Sequence, residues 1–229
     1  MSITINLKNQ DGSGVDINIP TEWKDMSLSY WADLASIMKK HEQTSKAKND
    51  YIAEKHQEND NIDSLLKDIS FVDEMRLNTD IFGYITGLSK DDVMRVDVKK
   101  VTEVINTIGV LTKEYKPKGM RSFKFDGEEY FFPSENLTKS TYGEFIEATQ
   151  LEMTIESMKN GRYDVLPEQM AILCRRVGED YDEDLVAEKA EKFKDLKMDS
   201  VFEFAFFLTN QNSKLLNLFS MYSEKGVKE

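Results

Sequence analysis

Histidine, cysteine and clustered carboxylates are the side chains with most scope for chemistry, and this chain is sparing with them. His41 and His56 are its only histidines, and both flank a Lys/Glu-rich stretch. Imidazole catalysis needs a nucleophile or metal beside the ring. Neither histidine has such a neighbour in sequence, so both read as solvated side chains. The single cysteine, Cys174, excludes an internal disulfide and a cysteine-based metal cluster. It lies in the apolar run Met170-Ala171-Ile172-Leu173-Cys174, where a buried, inert thiol is expected.

The densest acidic run is Glu179-Asp180-Tyr181-Asp182-Glu183-Asp184. Counted as a calcium loop from Asp180, Asp182 and Asp184 fill the third and fifth positions and Glu191 the twelfth. Leu185 then stands where the loop needs glycine, and Val186 and Ala187 offer only backbone oxygens. A charged loop leading into an acid-rich first helical turn is the better account. A carboxylate-dependent hydrolase using Asp180, Asp182 or Asp184 is a further reading, but nothing in the sequence positions a partner for them. Glycine-rich phosphate loops, a GxSxG elbow and an HExxH helix are all absent. The sequence therefore designates no catalytic residue, no cofactor and no metal ligand, and a non-enzyme is expected.

The strongest local signal is structural. Arg121–Glu135, RSFKFDGEEYFFPSE, alternates polar and apolar residues up to Asp126-Gly127, a pair suited to a tight hairpin turn. Pro133 closes the second strand, because it has no N–H to give. A similar unit opens the chain: Ile3–Leu7, a turn at Asp11–Gly14, then Val15–Ile19 and Pro20. Ser27 and Ser140 each lie seven residues beyond their proline at a plausible helix N-cap. The expected fold is α+β, mainly α-helical, with two short β-hairpins near 3–19 and 121–133. Each is followed by helices, as in an internal duplication.

Ser27–His41 reads as an amphipathic helix with Leu28, Trp31, Leu34, Ala35 and Met38 in one stripe, and Lys39, Lys40 and His41 at its C-terminal end. The polar arm 42–63 follows, as a solvated helix or a loop, with Tyr51 and Ile52 as candidate partner contacts. Helical spacing resumes over Ile62–Gly87, with an apolar set that includes Leu65, Val72, Met75 and Phe82. A fresh start at Thr79-Asp80 and a C-cap at Gly87 are expected. Ser89-x-x-Asp92 is a capping arrangement, and Asp97 can cap a helix with Val98, Val101, Val104, Ile105, Ile108 and Leu111 on its buried face. Glu114–Met120 is the candidate boundary, giving units of 1–114 and 120–229 packed as one body.

Beyond the second hairpin, helices are expected over 140–159, from Leu166-Pro167 through Val177 to Gly178, over Val201–Leu208 behind Asp199, and over Ser213–Tyr222. Phe202, Phe204, Phe206 and Phe207 spread around the whole circumference of theirs, which suits a central helix or one facing a partner. Phe202, Phe206 and Phe207, with Phe219 in the last helix, join the candidate contacts. The formal net charge of −12 disfavours binding to nucleic acid or anionic lipid. No signal peptide or membrane-length apolar run is read, so a reducing, cytoplasm-like compartment is expected.

One set of segments resembles a known group. These are Ile19-Pro20-Thr21-Glu22-Trp23, Ile85–Asp92, Phe125–Tyr130, Leu137-Thr138 with Tyr142, Glu144 and Phe145, and Met170–Leu173 followed by Asp180-Tyr181-Asp182. Together they resemble small proteins encoded among the structural genes of tailed bacteriophages, including crAss-like phages of gut Bacteroidetes. The resemblance implies a tail assembly chaperone that holds tape-measure or tail proteins, or a permanent virion subunit such as a connector or tail ring protein, itself forming a homo-oligomer. It places the protein in the host bacterial cytoplasm during assembly, or in the virion.

Overall fold

The computed structural model describes residues 2–8, 14–55, 62–109, 114–133, 163 and 165–210. Over the described residues the protein is mainly helical with two small antiparallel hairpins, an α+β fold. No described helix is long and apolar enough to cross a membrane. The chain divides into two compact units: 1–26 with 30–114, and 27–29 with 115–229.

In the first unit, β1 (Ser2–Lys8) pairs antiparallel with β2 (Gly14–Pro20), with Ile3 opposite Ile19 and Thr4 opposite Asn18. Side chains alternate across a strand, so Ile17 and Ile19 are buried while Asp16 and Asn18 reach solvent. On the polar face Thr4 Oγ1 donates to Asn18 Oδ1 at 2.7 Å and Asn6 Nδ2 to Asp16 Oδ1 at 2.6 Å.

Helix α1 runs from Leu28 to Lys55 as one piece of 28 residues. The expected end near His41 is thus corrected. No proline or glycine interrupts 42–55, and its Lys, Glu, Gln and Ala are good helix formers. His41 is correspondingly mid-helix, and it is not simply solvated: its Nε2 lies 2.6 Å from Asp80 Oδ2. His56 lies outside the described residues. Helix α2 (Ile62–Thr86) also passes through Thr79-Asp80 without restarting, since Thr79 Oγ1 bonds back to Met75 O at 2.8 Å and leaves the ladder intact.

Gly87, at φ +69°, lets the chain leave α2 in the left-handed region. Ser89 caps α3 (Lys90–Val93), its Oγ accepting from Asp92 N at 3.2 Å and donating to Asp92 Oδ2 at 2.6 Å. Asp97 Oδ1 accepts from Lys99 N at 2.8 Å at the start of α4 (Val98–Gly109). Val104 and Ile108 of α4 are buried, but Val98 is 76% exposed and is no part of the core. It stands in the first turn, which Asp97 caps, before the helix reaches cover. Leu111 lies outside the described residues. Helix α2 contacts α3, α4 and β2, and its Phe82 is fully buried.

In the second unit, β3 (Ser122–Phe125) pairs with β4 (Glu128–Phe131) through a two-residue turn at Asp126-Gly127. Both turn residues have positive φ, +50° and +79°, as the sequence requires. Phe131 N donates to Arg175 O at 2.7 Å and Arg175 N to Phe131 O at 3.2 Å, so the β4 edge is not bare. Helix α5 (Leu166–Leu173) carries Pro167 in its first turn, and α6 (Glu183–Phe193) packs against it. Its end at Leu173 corrects the expected run to Gly178: Cys174 is already extended, and Val177 is left in solvent.

The last described helix, α7, spans 198–210. It starts before Asp199, which corrects the expected cap: Asp199 Oδ1 accepts from its neighbour Ser200 N at 2.9 Å, inside the first turn. The 140–159 helix, the Ser213–Tyr222 helix, Ser140 and the Asp11–Gly14 turn as far as Ser13 lie outside the described residues.

Phe193 is the hub of this unit. It is fully buried, with the rings of Phe123, Phe125 and Tyr130 edge-on at 5.8, 5.6 and 5.2 Å. Ser27–Ser29 belongs here as well. Leu28 N donates to Leu196 O at 2.8 Å and Ser29 N to Lys194 O at 2.9 Å, giving acceptors to two N–H groups that a helix start leaves orphaned. Cys174 is fully buried, and burial pushes its thiol well above the ordinary value, matching an inert side chain.

Gln169 breaks the pattern. It is fully buried, yet neither amide atom has a hydrogen-bond partner. An unpaired buried amide costs about 1–3 kcal/mol. Gln169→Met, close in shape, is therefore expected to raise stability by about 1–2 kcal/mol in urea unfolding.

Candidate interaction surfaces

The aromatic helix α7 presents two faces. Val201, Phe204, Phe207 and Leu208 are buried. Phe207 lies 5.6 Å from the Phe132 ring, with the Arg121 guanidinium over it at 5.4 Å, so it belongs to the interior of its unit. Phe202 is half-buried and stacks on Tyr115 at 5.1 Å. Phe206 is 39% exposed, with its centroid 6.4 Å from Tyr115. Tyr115, Phe202 and Phe206 thus form one aromatic surface on this unit. Phe219 lies outside the described residues.

Glu203, which sequence reading passed over, fixes that surface from beneath. It is 2% exposed. Its Oε1 accepts from the Tyr115 hydroxyl at 2.7 Å and from Lys118 N, and its Oε2 accepts from Met120 N at 2.9 Å. Burial works against the charged carboxyl, but the backbone donors of Lys118, Met120 and Gly119 and the Tyr115 hydroxyl outweigh it, and the net effect holds it below the usual carboxylate range. Burial first, and then the Glu203 bond, push the Tyr115 hydroxyl above its ordinary value.

The second surface is on the first unit, where α1 and α2 run antiparallel. Tyr84 Oη donates to Asp33 Oδ2 at 2.9 Å. Asp73 accepts from Ser45 at 3.0 Å and from Lys48 at 3.1 Å, and the Lys48 bond is the largest reason that its carboxyl sits low. These bonds show which side of α2 faces α1. On the other side Leu65, Phe71, Val72 and Met75 are 38–60% exposed. Leu65, Val72 and Met75 were expected as part of an apolar set and Phe71 was not; the structure leaves all four in solvent. On α1, Tyr51 is 58% exposed, with Lys55 Nζ over its ring at 5.4 Å, and Ile52 is half-buried.

The acidic run does not form a loop of converging oxygens. Asp182 caps α6 by accepting from Asp184 N at 3.0 Å, and Glu183 onward is helical, so Glu191 sits on that helix. Among the described residues no three His, Cys, Asp or Glu side chains are grouped to hold a metal ion. Glu179 turns inward instead. It meets Lys189 at 2.8 Å and Arg176 Nε at 3.2 Å, while Lys189 also donates to Cys174 O at 2.6 Å under the Tyr130 and Phe193 rings. Lys189→Met is expected to cost about 2–3 kcal/mol, measured by urea unfolding, because it leaves Cys174 O and Glu179 short of a charged donor.

Comparison with protein-family models, with curated proteins and with solved structures returns no match for this chain.

Proposed function

We propose that this chain is a non-enzymatic morphogenesis protein of a tailed bacteriophage, acting through protein–protein contacts and nearest in role to a tail assembly chaperone. The observation that supports a contact role is the exposed apolar side of α2, Leu65, Phe71, Val72 and Met75. Contiguous exposed apolar surface of this kind marks protein interaction sites. The phage assignment draws on the sequence resemblance alone. Its partners in this reading are other phage structural proteins, such as tail, tape-measure or connector components, met in the host cytoplasm. The net charge of −12 argues against nucleic acid as the ligand.

The second reading, a permanent virion subunit such as a connector or tail ring protein, draws on the helical order of the arm through Lys55. Mass spectrometry of purified particles separates the two. Absence from the finished particle together with capture on tail proteins during assembly supports the chaperone role. Presence in many copies overturns it in favour of the virion subunit, and absence from both overturns the phage reading.

A further inference from the structure

Helix α2 carries two contact sides. At 100° per residue, Asp73, Asp80 and Tyr84, or the bonds they make, orient one side towards α1, and Leu65, Asp68, Phe71, Val72, Met75 and Arg76 fall on an arc of about 140° centred some 130° away. Phe71 and the fully buried Phe82 are three turns apart on that same far side. The stripe is thus covered at its C-terminal end and open over its first four turns. Leaving Phe71 60% and Val72 45% exposed is costly in a monomer.

The charges on this stripe are self-complementary. Asp68 and Arg76 are exposed and lie symmetrically about Val72, four residues to either side. Arg76 is held only loosely, 3.6 Å from Asp73 with 61% of its side chain in solvent. We infer that the occupant of the stripe is a second copy of this chain, docked with α2 antiparallel to α2 about a twofold axis at Val72. An isologous contact repeats each pair twice. Asp68 then faces the partner's Arg76 on both sides of the axis, and no like charges on the stripe stand opposite one another. The apolar residues supply the affinity, and the rim pairs, worth little each, set direction and register. The inference rests on the contact reading of this surface and not on the phage assignment.

The test is sedimentation velocity of the full-length chain over a concentration series. A reversible monomer–dimer equilibrium is expected. Val72→Glu should weaken it at least about tenfold, with the urea midpoint unchanged at concentrations where both proteins are monomeric, since Val72 is an exposed side chain. Asp68→Arg and Arg76→Asp should each weaken the dimer, and the two together should restore it. Val72→Cys should give a covalent dimer on mild oxidation, because Cys174 is buried and silent. A monomer at every concentration, or a dimer indifferent to Val72→Glu, overturns the inference. A double swap that fails to restore dimerisation overturns the antiparallel register. A strict monomer that still binds phage tail proteins sinks the dimer and leaves the proposed function standing.

Discussion

Glu203→Ala should cost the second unit about 3–5 kcal/mol of stability, seen as a lower urea midpoint with a separate loss of Tyr115 ordering. The carboxylate is 2% exposed and accepts from the Tyr115 hydroxyl and from the backbone of Lys118 and Met120. Alanine would strand all of these donors at once, and unmade bonds in a dry setting cost more than made bonds gain. Glu203→Gln keeps the shape but offers one acceptor oxygen and an NH2 that faces donors, so it should recover only a minor part of the loss. The pH dependence follows from the sign of the shift. The folded pKa lies below the ordinary 4.5, so the stabilisation is fully present above pH 4.5 and fades as pH falls through the folded value. Acid unfolding followed by Tyr115–Phe202 fluorescence should show this step, and Glu203→Ala should abolish it. An unchanged acid transition would refute the assignment.

Phe193→Ala should cost about 3–5 kcal/mol, and it should loosen the β3–β4 hairpin before it unfolds the helices. Phe193 is fully buried, and three edge-on rings from both strands converge on it. A two-stranded hairpin is marginal in water by itself. Its backbone bridge to the unit, at Phe131–Arg175, is only one residue wide. Amide exchange should therefore rise first at Phe123–Phe125. Equal exchange across hairpin and α7 in the variant would show that Phe193 is not the hub.

Local rules in the sequence were readable because their partners are near neighbours. Asp126-Gly127 needs only its own two φ angles, and Ser89 needs only Asp92, three residues on. The mainly helical α+β class with two hairpins follows from such signals. What composition hid was distant pairing. Glu203 sits in Val-Phe-Glu-Phe, where an acid looks like a solvent-facing slot, and its partners lie more than 80 residues earlier. The clue available was a Lys-Pro-Lys-Gly loop whose N–H groups lack any local acceptor. His41 looked like the cationic end of a helix because the residues after it are polar, yet polarity without proline or glycine lets a helix continue. Leu65, Val72 and Met75 of the α2 stripe were visible as apolar spacing and Phe71 was not, and spacing alone does not say which side of a helix another element covers.

The Ser27–Ser29 segment also bears on synthesis. Its carbonyl partners at Lys194 and Leu196 leave the ribosome about 165 residues later, which at about 5–20 residues per second is a wait of roughly 8–33 s. Until then the opening turn of α1 has no native acceptors for Leu28 N–H and Ser29 N–H. A nascent chain interrupted before the 194–196 turn would never acquire them, so this part of the molecule can close only after that turn has emerged.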